Sequence, residues 1–208
     1  YQGWATRLKV DYPWEKFNFG GVLMYASGAD QEKTDASGLP GRTVGAGAAF
    51  GTSRDVDSFV VPPGSEAGFI FGESLVVYSS WVNRGTTGIG AEMGATQVSR
   101  GGIGGTWMAK AYGSYKATPW YKVTVAGLYV GDTTDNGDTF GTLPNHDGGS
   151  VGWELDLYNE FQLYKNLNFV VAGGYLFAGS AMRYAGAGGT KENPHNPWLI
   201  TTALTYNF

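Results

Sequence analysis

The sequence predicts an all-β fold built from long antiparallel strands, and three observations support this prediction. Apolar and polar residues alternate with a period of two, the alternating segments are longer than ordinary soluble strands, and short and long connections are sorted along the chain. The clearest segment runs from Gly149 to Tyr164, where the odd positions are mainly apolar and the even positions include Glu154, Asp156 and Glu160. One face of this strand is therefore apolar and the other is acidic and polar.

Six further segments show the same alternation. Together with 150–164, the predicted strands are 2–12, 17–27, 106–117, 119–130, 167–178 and 196–208. Aromatic residues tend to stand at the ends of the apolar faces, and small residues populate the opposite faces. This distribution is typical of strands that cross a bilayer, where aromatic side chains lie at both interfaces.

The connections between these strands fall into two groups. Three are tight, at 12–17, 117–121 and 164–167. The others are long and rich in Gly, Asp, Thr and Asn, and they cover 28–105, 131–149 and 179–196. Short turns on one side and long loops on the other are characteristic of bacterial outer-membrane barrels, whereas a soluble sandwich has no reason to sort its loops. We therefore expect residues 1–208 to form a single domain, a transmembrane antiparallel up-and-down β-barrel or the C-terminal seven to nine strands of a larger one.

The region 28–105 is the least defined part of the sequence. We expect one extra hairpin or a structured loop there. The apolar run from Phe69 to Trp81 fits a strand paired with 44–50 or with 88–98, and it equally fits a short helix capped by Ser65.

Composition excludes several classes of protein. The chain has no Cys, which excludes disulfide scaffolds, thiolate metal sites and cysteine nucleophiles. The formal net charge of −4 leaves no basic surface for a nucleic acid partner. Transmembrane helices are excluded because no run of 18 apolar residues exists. The chain opens without an initiator Met or an apolar leader, so we expect a mature or truncated polypeptide.

The last eleven residues, Trp198 to Phe208, resemble the terminal strand of Gram-negative outer-membrane β-barrel proteins. That family ends in Phe, with an aromatic residue two positions earlier and apolar residues at alternate positions before it; Leu204, Tyr206 and Phe208 fit, and Thr202 departs mildly. The resemblance implies integral insertion in the bacterial outer membrane, with the lipid bilayer and lipopolysaccharide as surroundings. It also implies that the barrel-assembly machinery reads this strand, and the loops and Gly-rich strands are loosely porin-like.

The number of strands raises a question of completeness. With the carboxyl end in the periplasm, seven strands, or nine with an extra hairpin, place Tyr1 outside the cell. Single-chain bacterial barrels have even strand counts and both ends in the periplasm. We therefore expect the chain to be the carboxyl-terminal portion of a larger barrel, partnered by an upstream segment of the same barrel or by a homo-oligomer. The alternative is a strand missed in 28–105.

The inward-facing charged residues are the candidate functional residues. The candidate pore-lining set is Arg7, Lys9, Asp11, Lys110, Lys116, Lys122, Glu154, Asp156 and Glu160. Opposed acidic and basic rows can set a transverse field that screens passing ions. The alternative is that these residues only satisfy one another as a salt-bridge network in a small or plugged interior.

Other candidate chemistry in the sequence is weak. Glu154 and Asp156 share a face, but no third group completes a catalytic site. His146 and His195 stand in predicted external loops without a recognisable partner. The oxygen-rich loop 132–138 could hold Ca²⁺, but it lacks the closing Glu of an EF-hand, so a polar turn is favoured. We expect no catalytic residue, no metal and no cofactor, and hence no enzyme.

Two functions remain open from the sequence. The first is a porin-like outer-membrane channel for small solutes or ions, in which the loop 28–105 folds inward as a constriction. The second is a structural barrel that acts as a sleeve or anchor for a partner protein, or as a surface platform.

Overall fold

The computed structural model describes residues 2–28, 59, 73–78, 104–135 and 148–207. Within them the chain is all-β. The strands are β1 (Ala5–Trp14), β2 (Phe17–Ala26), β3 (Thr106–Thr118), β4 (Tyr121–Asp132), β5 (Ser150–Tyr164), β6 (Leu167–Ala178), β7 (Tyr184–Ala185), β8 (Lys191–Glu192) and β9 (Trp198–Tyr206). Two single 3-10 turns, Ser180–Met182 and Ala187–Gly189, complete the described elements. No helix among these residues is long and apolar enough to span a membrane.

The seven long strands form one antiparallel sheet in which every strand pairs with the next long strand along the chain. The order is β1-β2-β3-β4-β5-β6-β9, with β7 and β8 as a separate hairpin. All seven strands predicted from the alternation are present, and no boundary differs from its predicted position by more than three residues. The hairpin β7–β8 was not predicted in the loop 179–196, since strands of two residues show no periodicity.

The sheet has two edges. Among the described residues, β1 pairs only with β2, and β9 pairs only with β6. The up-and-down antiparallel sheet is therefore confirmed, while the sheet itself does not close into a ring. Because seven antiparallel strands lie in sequence, β1 and β9 run in the same direction.

The connections are sorted between the two ends of the sheet as predicted. Two-residue turns join β1 to β2, β3 to β4 and β5 to β6 at one end, which we call the turn end. The longer connections from β2 to β3, β4 to β5 and β6 to β9 lie at the other end, the loop end. In the turn between β1 and β2, Glu15 adopts a φ of 52°, a left-handed conformation that a residue with a side chain rarely takes.

The two faces of the sheet differ in burial. Large apolar side chains on the outward face are exposed, including Leu8, Leu23 and Ile200. Near the loop end the inward face is apolar and buried. Its inward side chains pack with two residues of the segment 73–78 in one cluster, which includes Val22, Met24, Met108, Leu128, Val130, Leu176, Val77 and Tyr78. The core therefore lies inside the curved sheet.

Only part of the region 28–105 is described. Residues 73–78, within the predicted apolar run from Phe69 to Trp81, form a turn and not a strand. The predicted pairings with 44–50 and 88–98, and the helix cap at Ser65, lie outside the described residues. We call residues 73–78 the inner segment.

Candidate functional site

The inward face of the sheet encloses a cavity of about 530 Å³. Its lining includes residues of all seven long strands and four residues of the inner segment. Arg7 of β1 and Thr201 of β9 line the same cavity although these strands are the two edges of the sheet. The sheet is therefore strongly curved, with its functional candidates on the concave side.

The strand register arranges the inward side chains in rows across the sheet. From the loop end to the turn end, representative rows are Met24, Met108 and Val130; then Lys9, Val22, Lys110, Leu128, Glu154 and Leu176; then Asp11, Gly20, Tyr112, Ala126, Asp156 and Gly174; then Ser114, Thr124, Tyr158, Ala172 and Thr201. The interior thus changes from apolar, through charged, to small and hydroxylated.

The Glu154 carboxylate anchors the inner segment. Glu154 is fully buried, and its two oxygens accept hydrogen bonds from the Ser74 hydroxyl at 2.9 and 3.0 Å. They also accept from the backbone N–H groups of Leu75 at 2.7 Å, Val76 at 2.9 Å and Val77 at 2.9 Å. Successive N–H groups that converge on one carboxylate form an anion-binding concavity, and here the anion is a side chain of the sheet.

The inner segment is also closed on itself and packed against the core. The Ser74 hydroxyl accepts a hydrogen bond from the N–H of Tyr78 at 3.0 Å. The Tyr78 hydroxyl lies 2.8 Å from the Thr106 hydroxyl. Burial raises the pKa of Tyr78, so its phenol stays protonated.

A glycine on β6 makes room for this segment. A side chain at Gly174 would place its Cβ 2.6 Å from Asp156 Oδ1 and 2.9 Å from the Leu75 Cβ. Asp156 accepts a hydrogen bond from the N–H of Leu75 at 3.3 Å. The absence of a Cβ at position 174 therefore allows Asp156 and the inner segment to approach the sheet.

Basic residues hold the start of the inner segment from the other side. Arg7 and Lys110 both form ion pairs with the Glu73 carboxylate, with Lys110 Nζ 3.7 Å away. Lys110 Nζ also donates to the backbone carbonyl of Glu73 at 2.8 Å. Lys110 is only 8% exposed, so this contact is largely shielded from solvent. The inner segment thus bridges β1, β3 and β5.

A tyrosine organises the neighbouring charged row. The Tyr112 hydroxyl donates to the Asp11 carboxylate, which also accepts from Asn18 Nδ2 at 3.0 Å. The ring lies where a Cβ of Gly20 would be, so a side chain at position 20 would collide with it. The Lys9 ammonium stands 5.5 Å from the ring centroid, within the range of cation–π attraction.

Nearer the turn end, a single ion pair crosses from β4 to β5. Lys122 Nζ lies 2.7 Å from Glu160 Oε1, and both side chains are about 40% exposed. This pair therefore faces the solvated part of the cavity.

The structure separates the nine candidate pore-lining residues into three groups. Six line the cavity: Arg7, Lys9, Asp11, Lys110, Lys122 and Glu160. Glu154 and Asp156 are buried beneath the inner segment and do not line the cavity themselves. Lys116 is exposed near the turn between β3 and β4, outside the cavity lining, because its strand ends there.

Two groups of residues were missed from the sequence. The inner segment was recognised only as part of an apolar run, although the polar pair Glu73–Ser74 interrupts that run. The contact of Tyr112 with Asp11 and its position over Gly20 were not predicted from the sequence either. A bulky aromatic residue opposite a glycine on the neighbouring strand is a signal that could have found this contact.

The outward face carries two aromatic belts. Each long strand, or the residue just before it, has two outward aromatic residues eight positions apart: Trp4 and Tyr12, Phe17 and Tyr25, Trp107 and Tyr115, Tyr121 and Tyr129, Trp153 and Phe161, Phe169 and Phe177, and Trp198 and Tyr206. One belt lies near the turn end and the other near the loop end. The outward positions between the belts hold aliphatic and small residues, with Phe19, Tyr175 and Asn159 next to the belts. The Asn159 amide oxygen accepts a hydrogen bond from the Tyr121 hydroxyl of the turn-end belt at 2.8 Å.

Neighbouring rings touch along both belts. Near the loop end, Tyr129 lies between Trp107 and Trp153, with centroid distances of 5.2 and 4.9 Å. Near the turn end, Phe161 contacts Tyr121 at 5.0 Å. The two remaining residues of the predicted assembly signal that are described, Leu204 and Tyr206, are exposed on this face, and Phe208 lies outside the described residues.

The other sequence candidates do not form a site. Asp132 accepts a hydrogen bond from the N–H of Thr134 at 2.7 Å, which is a local polar turn. His195 is exposed in the loop before β9, and His146 lies outside the described residues. In the parts of the chain that the structure covers, no group of three potential metal ligands comes together.

Comparison with known proteins adds no relative: neither a family model nor a curated protein matches the chain.

Proposed function

We propose that the chain forms the wall of a porin-like channel in the bacterial outer membrane, through which small solutes or ions diffuse along a polar lumen. The observation that carries this proposal is the pair of aromatic belts, which recurs with the same spacing on all seven strands. An exposed apolar face of this extent has no favourable place in water. A bilayer accommodates both the apolar band and the aromatic residues at its borders.

The spacing of the belts suits a bilayer. Eight residues at about 3.4 Å each cover about 27 Å along a strand. At the tilt of about 40° that barrels adopt, this corresponds to about 20 Å along the membrane normal, close to the apolar band of outer-membrane barrels at about 25 Å.

The turn end would face the periplasm and the loop end the outside. Lipid and lipopolysaccharide would surround the belts. The barrel-assembly machinery would recognise the last strand through Leu204, Tyr206 and Phe208.

The direction of the edge strands bears on how the barrel closes. Because β1 and β9 run in the same direction, closure of the barrel through antiparallel pairs requires additional strands. The added strand that pairs with β1 and the added strand that pairs with β9 must both run in the opposite direction. A second copy in the same orientation would again present β1 and β9 and would pair in parallel. The partner at the edges is therefore proposed to be an upstream segment of the same barrel. A side-by-side homo-oligomer would use the outward face instead.

In this channel the inner segment would narrow the lumen. Its anchoring by Glu154 on one side and by Arg7 and Lys110 on the other fixes it against the wall. The proposed function is passive passage without catalysis, and neither a cofactor nor a nucleic acid takes part.

One observation favours the second candidate, a structural barrel that anchors a partner protein. Val77 and Tyr78 pack with Met108 and Leu128 in one apolar cluster inside the sheet near the loop end. An interior packed in this way suits a sleeve or platform.

Conductance in a planar bilayer distinguishes the two candidates. The protein, refolded into detergent and inserted into the bilayer, is expected to give discrete conductance steps. Insertion is checked independently by protection of the strands from protease in liposomes. A protein that is inserted and protected but gives no conductance would exclude the channel and favour the structural barrel.

A further inference from the structure

Hydroxyl groups line the cavity on both sides of the Lys122–Glu160 pair, on the turn-end side of the row that contains Asp11 and Tyr112. Ser114 of β3, Thr124 of β4, and Thr201 and Thr205 of β9 share this lining. None of their hydroxyls makes a hydrogen bond to another residue in the described ranges, and they can therefore exchange hydrogen bonds with a solute.

The charged groups of the cavity are paired with one another. The lining contains four basic residues, Arg7, Lys9, Lys110 and Lys122, and three acidic ones, Asp11, Glu73 and Glu160. Glu73 pairs with Arg7 and with Lys110, Lys9 lies 3.5 Å from Asp11, and Lys122 lies 2.7 Å from Glu160. Each of these seven charged residues, all from the described part of the chain, therefore has an opposite charge in contact.

This pairing disfavours ions as preferred solutes. An anion that approaches Lys122 must displace Glu160, and a cation that approaches Glu160 must displace Lys122. A neutral solute meets no such competition, since its hydroxyl groups exchange hydrogen bonds with water and with the wall at similar enthalpy.

The size of the cavity fits a small organic solute. Its volume of about 530 Å³ lies in the range of roughly 300–1,000 Å³ that small-molecule sites occupy. Hydroxyls and paired charges together offer donors and acceptors on several sides.

We propose that the preferred solute is a neutral, polyhydroxylated molecule of the sugar or polyol class, which is held and passed by the hydroxyl-lined part of the cavity. This inference rests on the proposed channel function. It assigns the substrate class that the charge pairing and the hydroxyl lining select.

Liposome swelling tests the substrate class. The protein is reconstituted, and swelling rates are compared for glucose, for gluconate and for glucosamine, which have similar size but differ in charge. Glucose is expected to enter several-fold faster than either charged solute. Gluconate or glucosamine entering as fast as glucose would overturn the inference, while measurable entry of all three would leave the channel itself intact. No entry of any solute, together with no conductance, would instead refute the channel.

Charge variants at the exposed pair test the mechanism. Lys122→Gln leaves Glu160 unpaired and should shift the cation-to-anion permeability ratio toward cations by roughly tenfold, and Glu160→Gln should shift it toward anions by a similar factor. The double variant should return the ratio to near its starting value. Lys165→Gln, in the exposed turn between β5 and β6, is the matched control and should leave the ratio unchanged. Single variants that leave the ratio unchanged would show that the pair does not set the charge preference, and this would overturn the proposed mechanism.

Discussion

Replacing Glu154 with Gln should release the inner segment from the wall of the sheet. Glu154 accepts hydrogen bonds from four donors: the Ser74 hydroxyl and the N–H groups of Leu75, Val76 and Val77. A Gln amide keeps one acceptor oxygen but turns an NH₂ group toward the remaining donors. With the amide oxygen at the Oε1 position, the Val77 N–H is left unsatisfied and faces the new NH₂ group, and the other three hydrogen bonds lose the negative charge that strengthens them.

The magnitude follows from the burial of these groups. An unsatisfied buried donor costs about 1–3 kcal/mol, and the cavity beside Ser74 and Leu75 admits water that reduces this cost. We expect the closed position of the inner segment to become about 2–4 kcal/mol less stable relative to the open position. This corresponds to a roughly 30- to 700-fold larger open population.

Cysteine labelling measures this population directly. The chain has no Cys, so Leu75→Cys introduces a single thiol at a position that is 6% exposed. The rate of maleimide labelling reports how often the segment opens. The rate should rise strongly when Glu154→Gln is added, and single-channel conductance should increase in parallel.

Glu160→Gln is the matched control for this experiment. Glu160 lies on the same strand and the same face, but its side chain is 39% exposed and makes one ion pair. Exposed pairs contribute up to about 1 kcal/mol, so labelling should change by less than about fivefold. If Glu154→Gln and Glu160→Gln gave the same labelling rate, the anchoring role of Glu154 would be refuted.

Two other substitutions test the remaining local features. Gly174→Val should displace the inner segment, because the new Cβ would lie 2.6 Å from Asp156 Oδ1. The labelling rate at Leu75→Cys should therefore rise even with Glu154 intact. An unchanged labelling rate would contradict the close approach of the segment to β6. Glu15→Gly should raise the free energy of unfolding, measured in urea, by about 1 kcal/mol, because glycine adopts the φ of 52° at this position without strain. A lower free energy of unfolding would contradict this reasoning.

The strands and their faces could be predicted from the sequence because alternation is a local property. From Gly152 to Phe161, the residues of β5 face the sides that the period-two pattern requires, with Trp153 outward and Glu154 inward. Val151 departs from the pattern, because the register shifts beside it and its side chain is buried in the core. The tight turns were predictable for the same reason, since a few residues between two alternating segments leave space only for a hairpin.

The inner segment could not be predicted because its contacts are distant in sequence. Ser74 and Glu154 are 80 residues apart, and nothing in the residues around 74 shows which carboxylate they meet. The carboxylates of Glu154 and Asp156 were expected to line a lumen, but this segment covers them. The position of Lys116 depends on where the strand ends, and a boundary is the least certain part of a periodic pattern.

Charge pairing on the inward face was open from the sequence and is largely answered by the register. Lys122 and Glu160 are direct cross-strand partners on β4 and β5, and such opposite charges attract across a sheet. The cluster around Glu73 depends again on the inner segment. The contacts therefore favour the salt-bridge network over opposed, unpaired rows.

The central claim is that the outward face between the aromatic belts contacts lipid hydrocarbon. Leu157 and Leu163 test it most directly, since both belong to β5 and are 45% and 51% exposed, but only Leu157 lies between the belts. The measurement is the difference in the free energy of unfolding from liposomes between Leu157→Arg and Leu163→Arg. We predict that Leu157→Arg costs about 2–4 kcal/mol and Leu163→Arg no more than about 1 kcal/mol, as expected for arginine at the midplane and at the interface. Equal, small costs at both positions would mean that this face meets water and would contradict the claim.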